Sequence, residues 1–462
     1  MAFIDREREL AALEKLWREK GAQLIVIYGK RRIGKTELIK QFIKDKPHVY
    51  FLAQRIRENE NLRSLAEAVG GRLGDDLLQR AAFPEWKHFF EYGRERIRSR
   101  TILVFDEFPY LAEANKGISS VFQAGWDESL KGAPVVLILC GSRIAMMENE
   151  TLSHKAPLFG RRTGQIFLKP FAFEEARKFF PGIPFDRCLE FYSLAGGNPS
   201  YLNRLDPKRS VGENIVDEVL QPEAFLYNEV EFVLREELRE LRNYFAILKA
   251  VALGKCRIGE IVNETGLAKG ILHKYLFILE DLHVIRKDVP VTEKNPLKSR
   301  KGIYGLQDQF FKFWFRYVLT NRGSIEGGKL DGVREKIEAD FLGLVAENYE
   351  RLAVDIVGAH EDRFFPMDRA GRWWDRNEEI DLVALNEGRK EILFGEAKWS
   401  LRPVGIDIHE NLKRKARLVD WHVSGRTEHF CLFSRSGFTK AMLERARDEN
   451  VALFHRDKLI EP

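Results

Sequence analysis

Three short stretches carry residue types at spacings that can do chemistry. The first is GKRRIGKT, Gly29 to Thr36, which fits GxxxxGK(S/T). Glycines let successive backbone N–H groups turn inward and cradle phosphates at a helix N-terminus. On this reading Gly29, Lys30, Arg31, Arg32, Ile33 and Gly34 wrap the phosphates of ATP, or of its product ADP. Lys35 reaches the β- and γ-phosphates, and the Thr36 hydroxyl takes a place on Mg²⁺. The second stretch is TILVFDEF. A strand ending there sets Asp106 near the Mg²⁺ water shell and Glu107 where it polarises an attacking water. The third pairs EIDLVAL with KEILFGEAKW. Alternation along a strand puts Glu396 and Lys398 on one side, and Asp381 starts the strand expected beside it. Two such carboxylates can hold Mg²⁺ or Mn²⁺ against a phosphodiester, with Lys398 orienting or deprotonating the attacking water. Glu347, in FLGLVAENYE, is expected to add a third carboxylate. All-oxygen ligands favour hard cations over zinc.

The elements that must position these groups follow from hydrophobic patterning. Five apolar runs alternate with amphipathic helical stretches in the first third: Leu24 to Tyr28, Val49 to Leu52, Ile102 to Phe105, Val135 to Cys140 and Gln165 to Leu168. Most are continuous rather than alternating, as in parallel strands covered on both faces. The VVLILCGSR run ends in Ser142 and Arg143. A polar residue at that tip either senses a γ-phosphate or belongs to an ordinary turn. From Pro170 to about Arg242 the pattern is helical, broken at GGNPSY.

Asn243 to Leu306 then reads as three helices and a hairpin, a winged helix-turn-helix. Leu272, Leu276, Ile278 and Leu279 define the buried face of its third helix, leaving Lys269, His273 and Lys274 off it. Strands at Val284 to Arg286 and Ile303 to Leu306 bracket the basic tip VTEKNPLKSRK. That arrangement suits DNA, with the helix in the major groove and the wing on phosphates, or else a spacer between domains. The expected organisation is a multidomain α/β chain. Its parts are a P-loop NTPase core with a parallel sheet (1–168), a helical lid and connector (169–241), the winged helix (242–310) and a C-terminal α/β domain (311–462).

Composition bounds the rest. The chain has 462 residues, 44% hydrophobic and 31% charged, which excludes a largely disordered protein. Four cysteines form no CxxC pair, which argues against a disulfide scaffold or a structural zinc site. The start, MAFIDREREL, is charged from Asp5 onward, and no apolar run approaches the roughly 20 residues of a membrane span. The expectation is a cytoplasmic protein with no membrane partner. A net charge of +5, from 75 basic and 70 acidic residues, permits nucleic-acid binding only through local clusters.

Taken in order, FIDREREL, GKRRIGKT, LVFDEF, LILCGSR, PLFGRRTG and GGNPSYL resemble the archaeal-type P-loop ATPases of the AAA+/STAND branch, across about the first 205 residues. The resemblance implies that FIDRE packs near the adenine. It also implies that GGNPSYL, with Pro199, belongs to a helical lid over the nucleotide. Arg161 and Arg162 are then candidate sensor or finger arginines, acting in cis or on a neighbouring subunit through self-association. Alternatively they pair with surface carboxylates. Many relatives carry a small residue where this chain has Arg143, so which arginine senses the γ-phosphate stays open.

FKFWFRYV, RWWDRNEEIDLVAL and ILFGEAKWS, over about residues 311 to 400, resemble the PD-(D/E)xK nuclease superfamily. Specifically, they are similar to the domain that follows the P-loop module in uncharacterised archaeal ATPases. The resemblance implies a restriction-endonuclease-like fold with Asp381, Glu396 and Lys398 at its site. Trp373 and Trp374 read as packing residues rather than base-stacking platforms. Two functions follow. One is an ATPase switch controlling a DNA-directed, metal-dependent nuclease-like domain. The other is a nucleotide-gated DNA-binding or signalling protein whose last domain does not cleave.

Overall fold

The computed structural model describes residues 3–375 and 378–461, so Arg376 and Asn377 of the RWWDRNEEIDLVAL stretch lie outside the described residues. The described residues divide into two compact units. The first comprises residues 3–179, 198–203 and 231–239, and the second comprises 180–197, 204–230 and 240–461.

The first unit is built on β1 (Gln23–Tyr28), β2 (His48–Leu52), β3 (Thr101–Asp106), β4 (Val135–Gly141) and β5 (Gly164–Phe167), in the order β2-β3-β4-β1-β5. Every neighbouring pair is parallel. The five apolar runs are these five strands. Residues β1, β3 and β4 are buried along their whole lengths. Alternate side chains serve opposite faces: Leu24, Val26, Phe105 and Leu137 join one core, and Ile25, Ile27, Val104 and Ile138 join the other. Because the strands are parallel, the phosphate loop, Asp106-Glu107 and Ser142 all emerge at one sheet edge.

The stretch expected as lid and connector is shared between the units. One of the changes of unit falls at the GGNPSY break. Gly196 takes φ 64° to end the Phe185–Ala195 helix, and Asn198 caps the short Pro199–Leu202 helix by accepting the Ser200 N–H at 3.0 Å.

In the second unit, helices Leu241–Ala252, Ile258–Thr265 and Lys269–Asp281 precede an antiparallel pair, β6 (Ile285–Asp288) and β7 (Ile303–Leu306). Leu272, Leu276 and Leu279 are buried in the third helix, but Ile278 is 37% exposed, contrary to the expected face. One helical step turns a side chain by about 100°, which takes Ile278 off the stripe that Leu279 continues. The hairpin tip is also anchored rather than free. The Val291 N–H donates to the Arg372 carbonyl at 3.0 Å, and Trp374 Nε1 donates to the Lys301 carbonyl at 3.1 Å.

The helix Asp331–Gly358 then leads into a six-stranded sheet. Its strands are β8 (Arg369–Trp374), β9 (Glu379–Asn386), β10 (Glu391–Lys398), β11 (Thr427–Ser434), β12 (Ala452–His455) and β13 (Lys458–Ile460), ordered β13-β12-β11-β10-β9-β8. β8, β9 and β10 run antiparallel, β10 to β12 are parallel, and β13 closes antiparallel. Trp373 and Trp374 are 5% exposed, as packing residues should be. Among the described residues no helix is long and apolar enough to cross a membrane.

Candidate functional site

At the first sheet edge, β1 runs into the Gly29–Thr36 loop and the Lys35–Ile43 helix. Gly29 has φ 154°, and a Cβ there would meet the Leu168 carbonyl oxygen at 2.4 Å, so only glycine lets the two backbones approach. Gly34 has φ 92°, and Pro199 Cγ lies 3.7 Å from where its Cβ would be, which sets Pro199 beside the loop. Lys35 is 6% exposed and donates to the carbonyls of Gly29 at 2.9 Å and Lys30 at 2.8 Å. Burial holds its pKa below the ordinary lysine range, against the pull of nearby anions including Glu107 and Asp106.

Thr36 Oγ1 donates to Asp106 Oδ2 at 2.9 Å, and the Glu107 N–H donates to Asp106 Oδ1 at 3.0 Å. Tyr50, on β2, also donates to Asp106 Oδ2, at 2.5 Å. Burial raises the Tyr50 pKa, and the Asp106 carboxylate raises it further. This tyrosine was not anticipated; the HVYFL run reads only as an apolar strand. Glu107 adopts φ 54° at the start of the Phe108–Ala114 helix. Its Oε2 accepts from Ser142 Oγ at 2.9 Å and from the Ser142 N–H at 3.3 Å. A hydroxyl and a carboxylate side by side are hard oxygen donors, and a single carboxylate with substrate phosphates is a usual Mg²⁺ arrangement. Thr36 and Asp106 therefore fit Mg²⁺.

The candidate arginines are engaged elsewhere. Arg143 is ion-paired with Glu113, which also accepts from Arg55 at 2.9 and 3.1 Å. Arg161 pairs with Asp127 at 2.9 Å and donates to the Pro157 carbonyl at 3.0 Å. Arg162 donates to the Leu152 carbonyl at 3.3 Å and lies over the Phe159 ring. Beside the loop, Arg31 is instead ion-paired with Glu236. Glu237 accepts the Ile144 N–H at 3.2 Å, and burial pushes its pKa up to about 7 although Arg143, Lys35 and Lys30 pull the other way. No motif marked these two glutamates.

In the second unit, Asp381 and Glu396 occupy neighbouring positions of β9 and β10 and are buried. Asp381 Oδ2 accepts the Ala397 N–H at 3.0 Å. Lys398 Nζ donates to Glu396 Oε1 at 2.7 Å and lies 3.9 Å from Asp381. Burial opposes its charge, but Glu396 and Asp381 outweigh that and raise its pKa. Lys415, unanticipated, lies 3.2 and 3.3 Å from the two Glu396 oxygens. It shares the buried stripe of Leu412, Ala416 and Val419, a spacing that would have marked it.

The third carboxylate needs correcting. Glu347 is ion-paired with Lys312 and lies 3.8 Å from Arg316. Glu350, almost one turn further along the helix, is the residue that feels Asp381. Burial pushes Glu350 up to about 7, and the Asp381 charge adds to this; burial and then Glu396 push Asp381 up to about 6. Among the described residues no group of three or more His, Cys, Asp and Glu side chains is arranged to hold a metal ion. With two ammonium groups already closing on Glu396, Asp381 and Glu396 do not fit Mg²⁺ or Mn²⁺ as they stand.

Comparison with known proteins bears on both units. Residues 3–205 match a family described as an ATPase domain predominantly from Archaea, and residues 314–411 match one described as archaeal and bacterial proteins of unknown function. The uncharacterized protein MJECL04 of Methanocaldococcus jannaschii is 36% identical over 422 residues, 90% of this chain and 92% of that protein. The uncharacterized ATP-binding protein MJ0423 of the same organism is 52% identical over 44 residues, 10% of this chain and 75% of that protein. Among solved structures, the Walker-type ATPase paby2304 of Pyrococcus abyssi shares 22% identity with a TM-score of 0.48, over 68% of this chain and 96% of that chain. The Aeropyrum pernix ORC2 protein, in ADPNP–ADP complexes, shares 15% with a TM-score of 0.45, over 71% and 96%. On the phosphate loop, the parallel sheet and the near full-length match to MJECL04, the chain belongs to the archaeal-type P-loop ATPase family.

Proposed function

We propose that this ATPase is a nucleotide switch: it binds and hydrolyses ATP and thereby controls a DNA-directed, nuclease-like C-terminal domain. The observation that carries the ATPase half is the pair of contacts Thr36–Asp106 and Glu107–Ser142 at one sheet edge. On binding, Lys35 exchanges the Gly29 and Lys30 carbonyls for the β- and γ-phosphates. Thr36 and Asp106 would hold Mg²⁺, which when bound would supply charge neutralisation on those phosphates. Glu107 orients the attacking water, and Ser142 keeps Glu107 aimed until the γ-phosphate arrives. Arg161 and Arg162, tied locally within this chain, act in this reading on the γ-phosphate of a neighbouring copy.

Three helices followed by β6 and β7 support a winged helix, and Lys269, His273, Lys274 and Lys294 are exposed on it. The chain order of helix, β8, β9, β10, helix and β11 supports a restriction-endonuclease-like fold. Whether that domain cuts is a separate matter. Closure of Glu396 by Lys398 and Lys415 favours the second reading, in which it holds DNA without cleaving. The test is gel retention and plasmid nicking by the full chain with Mg²⁺ or Mn²⁺, each with and without ATP. Nucleotide-dependent retention without nicking is expected. Nicking that Asp381→Asn abolishes would restore the cleaving reading, and no retention under any condition would remove DNA altogether.

A further inference from the structure

The helix Glu229–Glu237 sets two carboxylates against the phosphate loop. Glu236 is ion-paired with Arg31, one of the loop's own residues. Glu237 accepts the N–H of Ile144, next to Arg143 at the β4 tip, across 3.2 Å. The cations acting on Glu237 are Arg143, Lys35 and Lys30, and two of these belong to the loop. Groups built to neutralise phosphate thus face protein carboxylates.

Carboxylate and terminal phosphate are alike in the features that matter here. Both are anions with outward oxygens that accept from the same ammonium, guanidinium and backbone N–H donors. A γ-phosphate on Lys35 therefore competes with Glu237 for local positive charge, whereas ADP brings only its β-phosphate to Lys35 and no anion at the γ position. Room for exchange exists. A cavity of about 840 Å³ adjoins the pair, lined by Arg31, Arg55, Arg143, Arg239 and Tyr110. The helix is seated by Leu234, and Leu238 follows its last residue, both buried, so expelling its carboxylates acts on a packed element rather than on a loose tail. The chain continues from Glu237 to Leu241, where the first helix of the three-helix module begins.

The geometry points to Glu236 and Glu237 as an internal anion that the γ-phosphate of ATP displaces, making the Glu229–Glu237 helix a sensor that distinguishes ATP from ADP. This deepens the switch reading and rests on it.

The experiment compares the full chain with its Glu236→Gln/Glu237→Gln variant, titrated with ADP and with a non-hydrolysable ATP analogue. Removing the competing charges should tighten analogue binding by about tenfold, the scale of one charge-assisted hydrogen bond, and leave ADP binding within about twofold. An unchanged ratio of analogue to ADP affinity would overturn the sensor while leaving the ATPase reading intact. Failure of the parent to bind even ADP would overturn the ATPase reading and the sensor with it. A second measurement needs no variant. Backbone amides of residues 229–239 should exchange hydrogen faster in the parent with the analogue than with ADP. Equal exchange in both would also overturn the proposal.

Discussion

Ser142 at the tip of β4 holds Glu107 at the end of β3, through its hydroxyl at 2.9 Å and its N–H at 3.3 Å, both to Oε2. The residue proposed to sense the γ-phosphate and the residue proposed to act on water are thus joined directly to one another. Two parallel strands ending at the same level make this possible, and the left-handed backbone of Glu107 turns its side chain toward β4.

Ser142→Ala removes the stronger of those contacts and leaves the carboxylate less well aimed. ATP turnover should fall by about tenfold, with ATP affinity changed by less than about threefold. Phosphate release and equilibrium titration, run side by side, check this. Loss of binding instead would mean that Ser142 contacts the nucleotide in the ground state.

Gly29→Ala should destabilise the first unit. The added Cβ meets a backbone oxygen at 2.4 Å, and backbone cannot step aside as a flexible side chain does. A cost of about 2–3 kcal/mol is expected, read from denaturant unfolding.

Neutralising Lys294, Lys298, Arg300 and Lys301 together should weaken DNA binding and flatten its dependence on salt. Lys301 is already paired with Glu293 at 2.9 Å, so the other three carry most of the effect. The slope of log affinity against log salt should fall by about 2–3. An unchanged slope would make the hairpin a spacer, as its anchoring on β8 also permits.

Glu350 and Asp381 give the second unit a pH signature. Both carboxyls sit above their ordinary range, near 7 and 6, so the folded chain holds protons that the unfolded chain releases. Their contribution to stability is full below about pH 4 and is lost as pH rises through 6 and 7. Glu350→Gln stays neutral throughout. Its melting temperature should match the parent near pH 4.5 and exceed it by several degrees at pH 8. Scanning calorimetry across that range checks the sign, and a variant less stable at pH 8 would contradict it.

Much of the first unit was legible because its signals are local. Five apolar runs, a phosphate loop and an acidic pair each announce themselves within a few residues. Tyr50, Glu236 and Glu237 were not legible, because what brings them to the site is the packing of distant segments, and no spacing in the chain encodes that. In the second unit Asp381, Glu396 and Lys398 were readable from strand alternation and the pairing of adjacent strands. Glu347 was expected as the third carboxylate, but it pairs with Lys312, while the Asp381 charge acts on Glu350, three residues and about 60° of rotation away on the same helix. Lys415 was hidden in a basic run that reads as a solvated face, although its apolar neighbours give the buried stripe. The anchoring of the β6–β7 hairpin on β8 depends on contacts between segments some seventy to eighty residues apart, which local charge does not reveal.

A working ATP site formed by the loop and the acidic strand end is tested most directly by Mg²⁺-dependent phosphate release from ATP by the full chain, measured beside nucleotide binding for the parent, Lys35→Ala and Glu107→Gln. The parent should release phosphate, and Lys35→Ala should lose both binding and release. Glu107→Gln should retain binding while release falls by at least about a hundredfold. Equal release by all three proteins would contradict an ATP site here.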